Sequence, residues 1–365
     1  MTWSVCEMTM RAFIRRLLGF RLQTTLVVLF SLIALLTVGA TALVTSKLIG
    51  DYLADAQDKR VSRDMQLAEA FYENKLEKIS TTTRRLASSV LVVDALPRAV
   101  QGDAEALVAL EESLENEIRS QSLVASHFIL LMDAEGHSII GRTSHVPGEA
   151  TPTEQGEWDS LPIVADALKG GRGLGATEVI PAELLALLGL AEQARISFVD
   201  TPKAAPEPFD PREGTAGLTI AATEPVVGED GTILGAVLVG HLLNNDFTLV
   251  DRIKEVAGVD TVTVFFGDLR VSTNVLDAQG ERAVGTRLSQ EVLDVVLVDG
   301  VGFTGPAYVV NEWFITRYEP LLNHRGEIVG IVYVGARQAA FRNLVYEFDV
   351  RILMVALVST LVAVV

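Results

Sequence analysis

Two stretches of this chain repeat one another without a gap, and that repeat limits the possible fold more than any other feature. Residues 223–242 read TEPVVGEDGTILGAVLVGHL, and residues 318–337 read YEPLLNHRGEIVGIVYVGAR. The copies share Glu224/Glu319, Pro225/Pro320, Gly231/Gly326, Ile233/Ile328, Gly235/Gly330, Val237/Val332, Val239/Val334 and Gly240/Gly335. Each copy predicts a strand, a turn closed by glycine and a second strand rich in β-branched residues. An earlier hairpin precedes each. In the first case, residues 128–132 and 138–140 flank the polar turn Asp133-Ala134-Glu135-Gly136. In the second, residues 261–266 turn at Gly267-Asp268 into residues 269–275. The order hairpin, helix, hairpin thus occurs twice, which predicts an α+β chain of two tandem modules, each an antiparallel sheet with flanking helices. A length of 365 residues accommodates two modules and accessory helices.

Ahead of the modules, residues 22–46 carry no charge and exceed the ~20 helical residues needed to cross a hydrocarbon core. Arg11, Arg15, Arg16 and Arg21 lie just before this run. Basic residues stay on the cytoplasmic side, so residues 1–21 are expected inside, 22–46 as a transmembrane helix and residues 47–351 outside the cytoplasm. The alternative is a cleaved signal peptide with Ala40-Thr41-Ala42 as its site, but the apolar run continues past it. Initiation at Met8 or Met10 is equally compatible with the pattern. A second apolar segment, residues 352–365, stops short of a full span; it is expected to begin a second membrane helix, with an output domain beyond residue 365. Its alternative is a short apolar tail packed on the domain.

From Val61, the positions Met65, Ala68, Tyr72, Leu76, Ile79, Thr83, Leu86 and Val90 recur at steps of three and four, one stripe of a long α-helix that Asp94 and Pro97 end. This stalk helix, residues 47–100, carries the first module (101–250) and the second (251–345), with 346–365 opening the second membrane segment. The stripe serves as core for the first module, as a surface for a second copy of the chain, or as both; a homodimer is expected. Further helices are expected at 104–120, 161–168 and 181–192, and a strand at 196–199. Residues 201–216, with Pro202, Pro206, Pro208 and Pro211, read as a loop on the surface of the first module.

Net charge is −17, and the N-terminal arginines make the remainder more acidic still. Such a surface repels phosphate backbones and anionic headgroups, which argues against nucleic acid as a partner and against lying flat on a membrane. The single cysteine, Cys6, precedes the apolar run, so no disulfide framework or thiolate metal site supports the modules.

Several stretches resemble the double Cache (PAS-like) sensory domain of two-component sensor histidine kinases and chemotaxis-type receptors. They are Gly175-Ala176-Thr177-Glu178-Val179-Ile180-Pro181, then Gly240-His241-Leu242-Leu243-Asn244-Asn245-Asp246-Phe247 with Leu249-Val250-Asp251-Arg252-Ile253, and Phe266-Gly267-Asp268-Leu269-Arg270-Val271-Ser272-Thr273-Asn274-Val275. The last runs from Trp313 through Tyr318-Glu319-Pro320-Leu321 to Val332-Tyr333-Val334-Gly335. The resemblance covers most of residues 47–340. It implies a membrane-distal and a membrane-proximal module on one long helix, an input role upstream of a kinase, and a small-molecule ligand. Chemotaxis transducers and nucleotide cyclases carry the same kind of input domain. Arg317 departs from the small residue usual at its position, so no ligand is carried over to the second module. The amino-acid-binding motif of another branch is not visible.

The chain has no HExxH, GxSxG or Walker A pattern, and His127, His137, His145, His241 and His324 are scattered, so no catalytic activity, metal or cofactor is expected within it. Gly170-Gly171-Arg172-Gly173-Leu174-Gly175 lacks the strand, helix and Lys-Ser/Thr of a phosphate loop and reads as a flexible connection. Candidate ligand contacts are polar groups that alternate off the sheets. In the first module these are Arg142, Arg195, Glu178 and Thr223, with the arginines suited to a small organic anion. In the second they are Asn274, Trp313, Thr316 and Tyr318. The bland account of each is a structural ion pair or a hairpin core residue. A non-signalling, membrane-anchored adhesion or assembly module is the rival function, and it would need no pocket.

Overall fold

The computed structural model describes residues 22–120, 126–144, 149–310 and 312–338, with positions 350, 351, 354, 355 and 358. The arginines before residue 22 lie outside these, as does most of the expected second membrane segment. Among the described residues, those from Leu22 to Gln57 group with those from Arg337 onward as one unit, and those within Asp58–Ala336 form another.

Helix α1 (Leu22–Ala87) opens the described chain. It contains a window of mean hydropathy 2.5, none of which is buried, and by length and composition it is sufficient to cross a membrane. The helix ends earlier than the stripe predicts. Ser88 donates its hydroxyl to the Arg84 carbonyl, Ser89 takes an extended conformation, and α2 (Val90–Val100) restarts with Pro97 inside it. Serine competes with the helical backbone for hydrogen bonds, and two in succession break the helix where the apolar spacing alone would carry it on. Helix α3 (Ala104–Ser120) follows, started by the Asp103 carboxylate, which accepts the Glu105 and Ala106 amides.

The first sheet contains β1 (Phe128–Asp133), β2 (Ser138–Thr143), β3 (Thr151–Pro152), β4 (Leu174–Ile180), β5 (Gly217–Val227) and β6 (Ile233–Leu242) in the order β3-β2-β1-β6-β5-β4. The second contains β7 (Thr261–Phe266), β8 (Leu269–Thr273), β9 (Phe303–Val309), β10 (Glu312–Leu322) and β11 (Ile328–Arg337) in the order β8-β7-β11-β10-β9. Apart from the short β3, the two sheets have the same strand order, as the repeat requires. The shared glycines explain why it persists at those positions. Gly231 and Gly326 turn their hairpins at φ +84° and +81°, where a side chain is strained. A Cβ at Gly235 or Gly330 would collide with the carbonyl oxygen of Met132 or Phe265 on the neighbouring strand.

Both sheets are covered on both faces. Ile129 and Leu131 point into a core shared with α1, α2 and α3, whereas Phe128, Leu130 and Met132 point into a second core around Trp158. That core is closed by α4 (Pro162–Gly170) and α5 (Ala182–Leu187). On the second sheet, Val262, Val264 and Phe266 join the shared core, and Phe265, Tyr318, Ile331 and Tyr333 form a third. Helix α7 (Thr248–Ala257) buries Leu249, Val250 and Ile253 in the shared core, and α8 (Gln290–Leu293) buries Val292 and Leu293 in the third. Of the α1 stripe, Val61, Met65, Ala68, Ile79 and Leu86 are buried within the chain. Any pairing of two copies therefore has to use other surfaces than these.

Two segments differ from expectation. The helix expected at 181–192 is interrupted by Gly189 at φ +70°, giving α5 and the short α6 (Ala191–Ala194). Residues 196–199 form no strand in a sheet; Val199 makes an isolated parallel bridge to Thr286 in the second module. The proline-rich loop that follows is not confined to the first module, and it shapes the site.

Candidate functional site

Residues 199–213 run as a strap from the first module across the second. The Val199 amide donates to the Gly285 carbonyl (2.8 Å) and the Ala205 amide to the Leu288 carbonyl (2.9 Å). At its far end Phe209 donates its amide to Asp268 Oδ1 (2.9 Å). Arg287 reaches back, donating Nη1 to the Ala205 carbonyl (3.0 Å) and Nη2 to the Glu207 carbonyl, while pairing with Asp268 (2.8 Å). Glu213 closes the strap by accepting the amides of Asp210 (3.0 Å) and Asp268 (3.1 Å) on Oε1. Burial, reinforced by the Asp268 carboxylate, raises the Glu213 carboxyl well above the usual range. Gly267 fits here because a Cβ would collide with Glu213 Oε1.

Beneath the strap lies a small open cleft of ≈ 40 Å³. One wall is Thr201, Pro202 and Lys203 of the strap, and another is Ala307, Tyr308 and Val309 of β9. Its floor holds Arg270 from β8 and Tyr318 from β10, and residues 286–289 complete the rim. Tyr318 and Tyr333 have ring centroids 4.8 Å apart, with Phe265 and Phe303 at 6.4 Å and 5.9 Å from Tyr318. Burial raises both phenols, that of Tyr333 to about 12. At the mouth, the Lys203 ammonium lies 5.1 Å from the Trp313 ring centroid and 5.7 Å from that of Tyr308.

Arg270 is the feature that residue-by-residue reading missed. Its guanidinium is 5.1 Å from the Phe265 ring centroid, and Nε and Nη1 are buried with no hydrogen-bond partner. The signal was present in the alternation of β8. Leu269 and Val271 face the shared core, which turns Arg270 toward the other face, beside Phe265.

The residues singled out from sequence do not converge. Arg142 is buried but has its own partners, Glu111 at 3.1 Å and Glu115 at 3.5 Å on α3. Arg195 is exposed at the surface and pairs with Glu192 at 3.3 Å. The structure therefore brings no arginine pair together in the first module. Glu178 joins the two sheets by accepting the His324 amide (3.0 Å) and facing His324 Nδ1 (2.6 Å), while Asp166 contacts His324 Nε2 (3.0 Å) and Arg325 (2.8 Å). Hydrogen bonds from Arg325 and His324 hold the Asp166 carboxyl well below the usual range. Thr223 is buried with its hydroxyl unpartnered. Asn274 accepts the Val262 amide (2.8 Å), and Thr316 donates to the Gly305 carbonyl (2.8 Å), so both serve the hairpins. Trp313 is 45% exposed and stacks edge-on against Tyr308. Tyr318 alone of the set lines the cleft. Arg317 pairs with Glu319 (2.8 Å) and donates to Ser62 on α1 (3.0 Å).

The scattered histidines also meet. His127, His241 and Asp246 bring their ligand atoms within 4.8 Å of one another. The donor set does not suit a metal. His127 Nδ1 accepts the Leu242 amide (2.9 Å), so a metal on Nε2 would require the ring to lose its remaining proton. Lys75 is moreover close enough to bear electrostatically on both His241 and Asp246. The two rings stack at 4.4 Å, with their Nε2 atoms 3.4 Å and 3.5 Å from the Asp246 carboxylate. Burial, then the charges of Lys75 and His127, push His241 down to about 4. Burial raises Asp246, but hydrogen bonds from His127 and His241 outweigh it and leave the carboxyl well below the usual range.

Residues 241–348 match the family model described as single Cache domain 3, so the second module carries a Cache-type sequence signature. No curated protein sequence matches the chain. Among solved structures, the periplasmic domain of Vibrio cholerae LuxQ superposes with a TM-score of 0.42 at 14% identity, over 76% of this chain and 100% of that one. The sensor domain of the V. cholerae histidine kinase DctB gives 0.43 at 12% identity, over 78% and 98%. The ligand-binding domain of the Campylobacter jejuni chemoreceptor Tlp3, in complex with L-valine, gives 0.44 at 11% identity, over 80% and 96%.

Proposed function

We propose that this chain is the ligand-sensing input region of a membrane-bound signal-transduction receptor, and that the ligand is a small molecule held in the cleft of the second module. The observation that carries the reading is the strap. Because Thr201, Pro202 and Lys203 come from the first module and Arg270 and Tyr318 from the second, a ligand in the cleft contacts both. Helix α1 is tied to the same assembly through Arg60 with Asp260 (3.1 Å), Ser62 with Arg317 (3.0 Å) and Tyr72 with Thr177. A ligand that shifts the strap thereby acts on a helix that runs back into the apolar segment. In this proposal residues 22–46 span the plasma (inner) membrane, residues 47–351 are extracytoplasmic, and the receptor works as a homodimer that feeds a histidine kinase. A chemotaxis transducer or cyclase would use the same input.

Two experiments test it. Protease added to intact spheroplasts should degrade the modules and spare an N-terminal tag; protection of the modules with loss of the tag would reverse the topology. A thermal-shift screen of metabolites on the detergent-solubilised chain should find a compound whose stabilisation of wild type grows with its concentration but is absent in Ala307→Trp, which fills the cleft. Equal stabilisation of both proteins would place the ligand elsewhere.

A further inference from the structure

We infer that the cleft binds a small carboxylate, with Arg270 as its buried counter-charge and Lys203 as a second cation at the mouth. The inference rests on the cleft being the ligand site and adds the chemical class. Arg270 is only 4% exposed, yet among the described residues no carboxylate lies within ion-pairing distance of it. Its nearest electrostatic neighbours are the phenols of Tyr333 and Tyr318, and burial disfavours its charged form. A buried arginine keeps its charge nonetheless, and an uncompensated buried cation is costly unless something supplies the missing anion. Guanidinium donors without partners in a native fold call for a bound group.

The charge around the cleft has the matching sign. Arg270, Lys203 and Arg287 line it, and no aspartate or glutamate does. This is the reverse of the chain as a whole, whose net charge is −17, so the lack of acid at this spot is not a lack of acid in the protein. Arg287 is already neutralised by Asp268 at 2.8 Å, which leaves Arg270 as the group that an incoming anion would complete. Tyr318, Ala307 and Val309 supply the smaller, apolar part of a mostly polar lining, enough for a short stem behind the acid. The ligand expected is therefore a short carboxylic acid bound head-first, its carboxylate on Arg270 and its stem against β9.

The test is thermal stabilisation of the full chain in detergent by acetate, propionate and benzoate, with sodium sulfate and neutral propionamide as comparators at matched ionic strength. At least one carboxylate is expected to raise the melting temperature with the logarithmic concentration dependence of binding to the native state, and propionamide is expected to have no effect. Arg270→Gln should weaken carboxylate binding at least about thirtyfold, as loss of one partner of a buried charge pair does. Lys203→Ala, an exposed site that leaves the core untouched, should weaken it about threefold. Arg270→Met serves as the folding control, since it removes the buried charge and should melt no lower than wild type without added anion. Absence of stabilisation by every carboxylate, an equal response to propionamide, a response to sulfate alone, or an undiminished response in both Arg270 variants would each overturn the inference. A neutral metabolite that stabilises wild type but not Ala307→Trp would overturn the carboxylate while leaving the cleft as the ligand site.

Discussion

Replacing Glu213 by glutamine should remove a defined part of the pH dependence of stability. In the fold the Glu213 carboxyl is buried beside Asp268 and is raised well above the usual range; in the unfolded chain it titrates near ~4.3. Between those two values the folded state holds one proton more than the unfolded state. The contribution is therefore complete below the unfolded value and declines by up to about 1.4 kcal/mol per pH unit as pH rises toward the folded value. Glutamine keeps the carbonyl oxygen that accepts the Asp210 and Asp268 amides and presents N–H where the acid carries its proton. From pH 6 to pH 8 wild type should lose about 2 to 3 kcal/mol relative to Glu213→Gln. In a chain of this size that opens a gap of about 5 °C between their melting temperatures. Thermal unfolding of both proteins across that range checks it. Parallel pH profiles would show that Glu213 is ionised in the fold and that the strap is not held as described.

Arg142→Ala should lower stability by about 2 kcal/mol, measured by thermal unfolding, without changing the response to a cleft ligand, because Arg142 is engaged with Glu111 and Glu115. Asp246→Asn should cost about 3 kcal/mol at pH 7 by leaving Lys75 and the stacked histidines without their anion. Because the Asp246 carboxyl is depressed in the fold, its contribution is present above the unfolded aspartate value and is lost as pH falls, so the difference between wild type and variant should shrink in acid. Zinc titrated into wild type should leave the melting temperature unchanged, as the Leu242 amide occupies His127 Nδ1. Gly330→Ala should destabilise by about 3 kcal/mol, since its Cβ meets a main-chain oxygen on β7 that moves only with the sheet. Cysteine pairs scanned along residues 61–90 should crosslink two copies only at exposed positions and not at Met65, Ala68 or Ile79.

Much of the architecture was written in local pattern. The repeat predicted two hairpins of one kind because Gly231, Gly235, Gly326 and Gly330 answer to sterics that act within a hairpin or on its next strand. The apolar stripe from Val61 predicted a long helix, and its break at Ser88 escaped because two serines carry too little weight against a continuing stripe. The strap was illegible for a different reason. Prolines and charges at 201–216 describe a chain that forms no regular element, and they say nothing about which surface it crosses; the bonds to Gly285, Leu288 and Asp268 join residues remote in sequence. The site suffered most from this. Arg142 and Arg270 both lie in strands at inward positions, and sequence alone does not reveal that Glu111 and Glu115 stand opposite the first while aromatic rings surround the second. His127 and His241 likewise meet only because β6 pairs with β1.

The claim that most needs a direct measurement is where a ligand sits. Hydrogen exchange of the solubilised chain, followed by mass spectrometry with and without the most stabilising compound from the screen, locates it. The account predicts slowed exchange in the strap near Ala205, at Arg270 and Leu288, and along β9, the elements that wall the cleft. Protection confined to the first sheet around Arg142 and Thr223, with the strap and β9 unchanged, would contradict it.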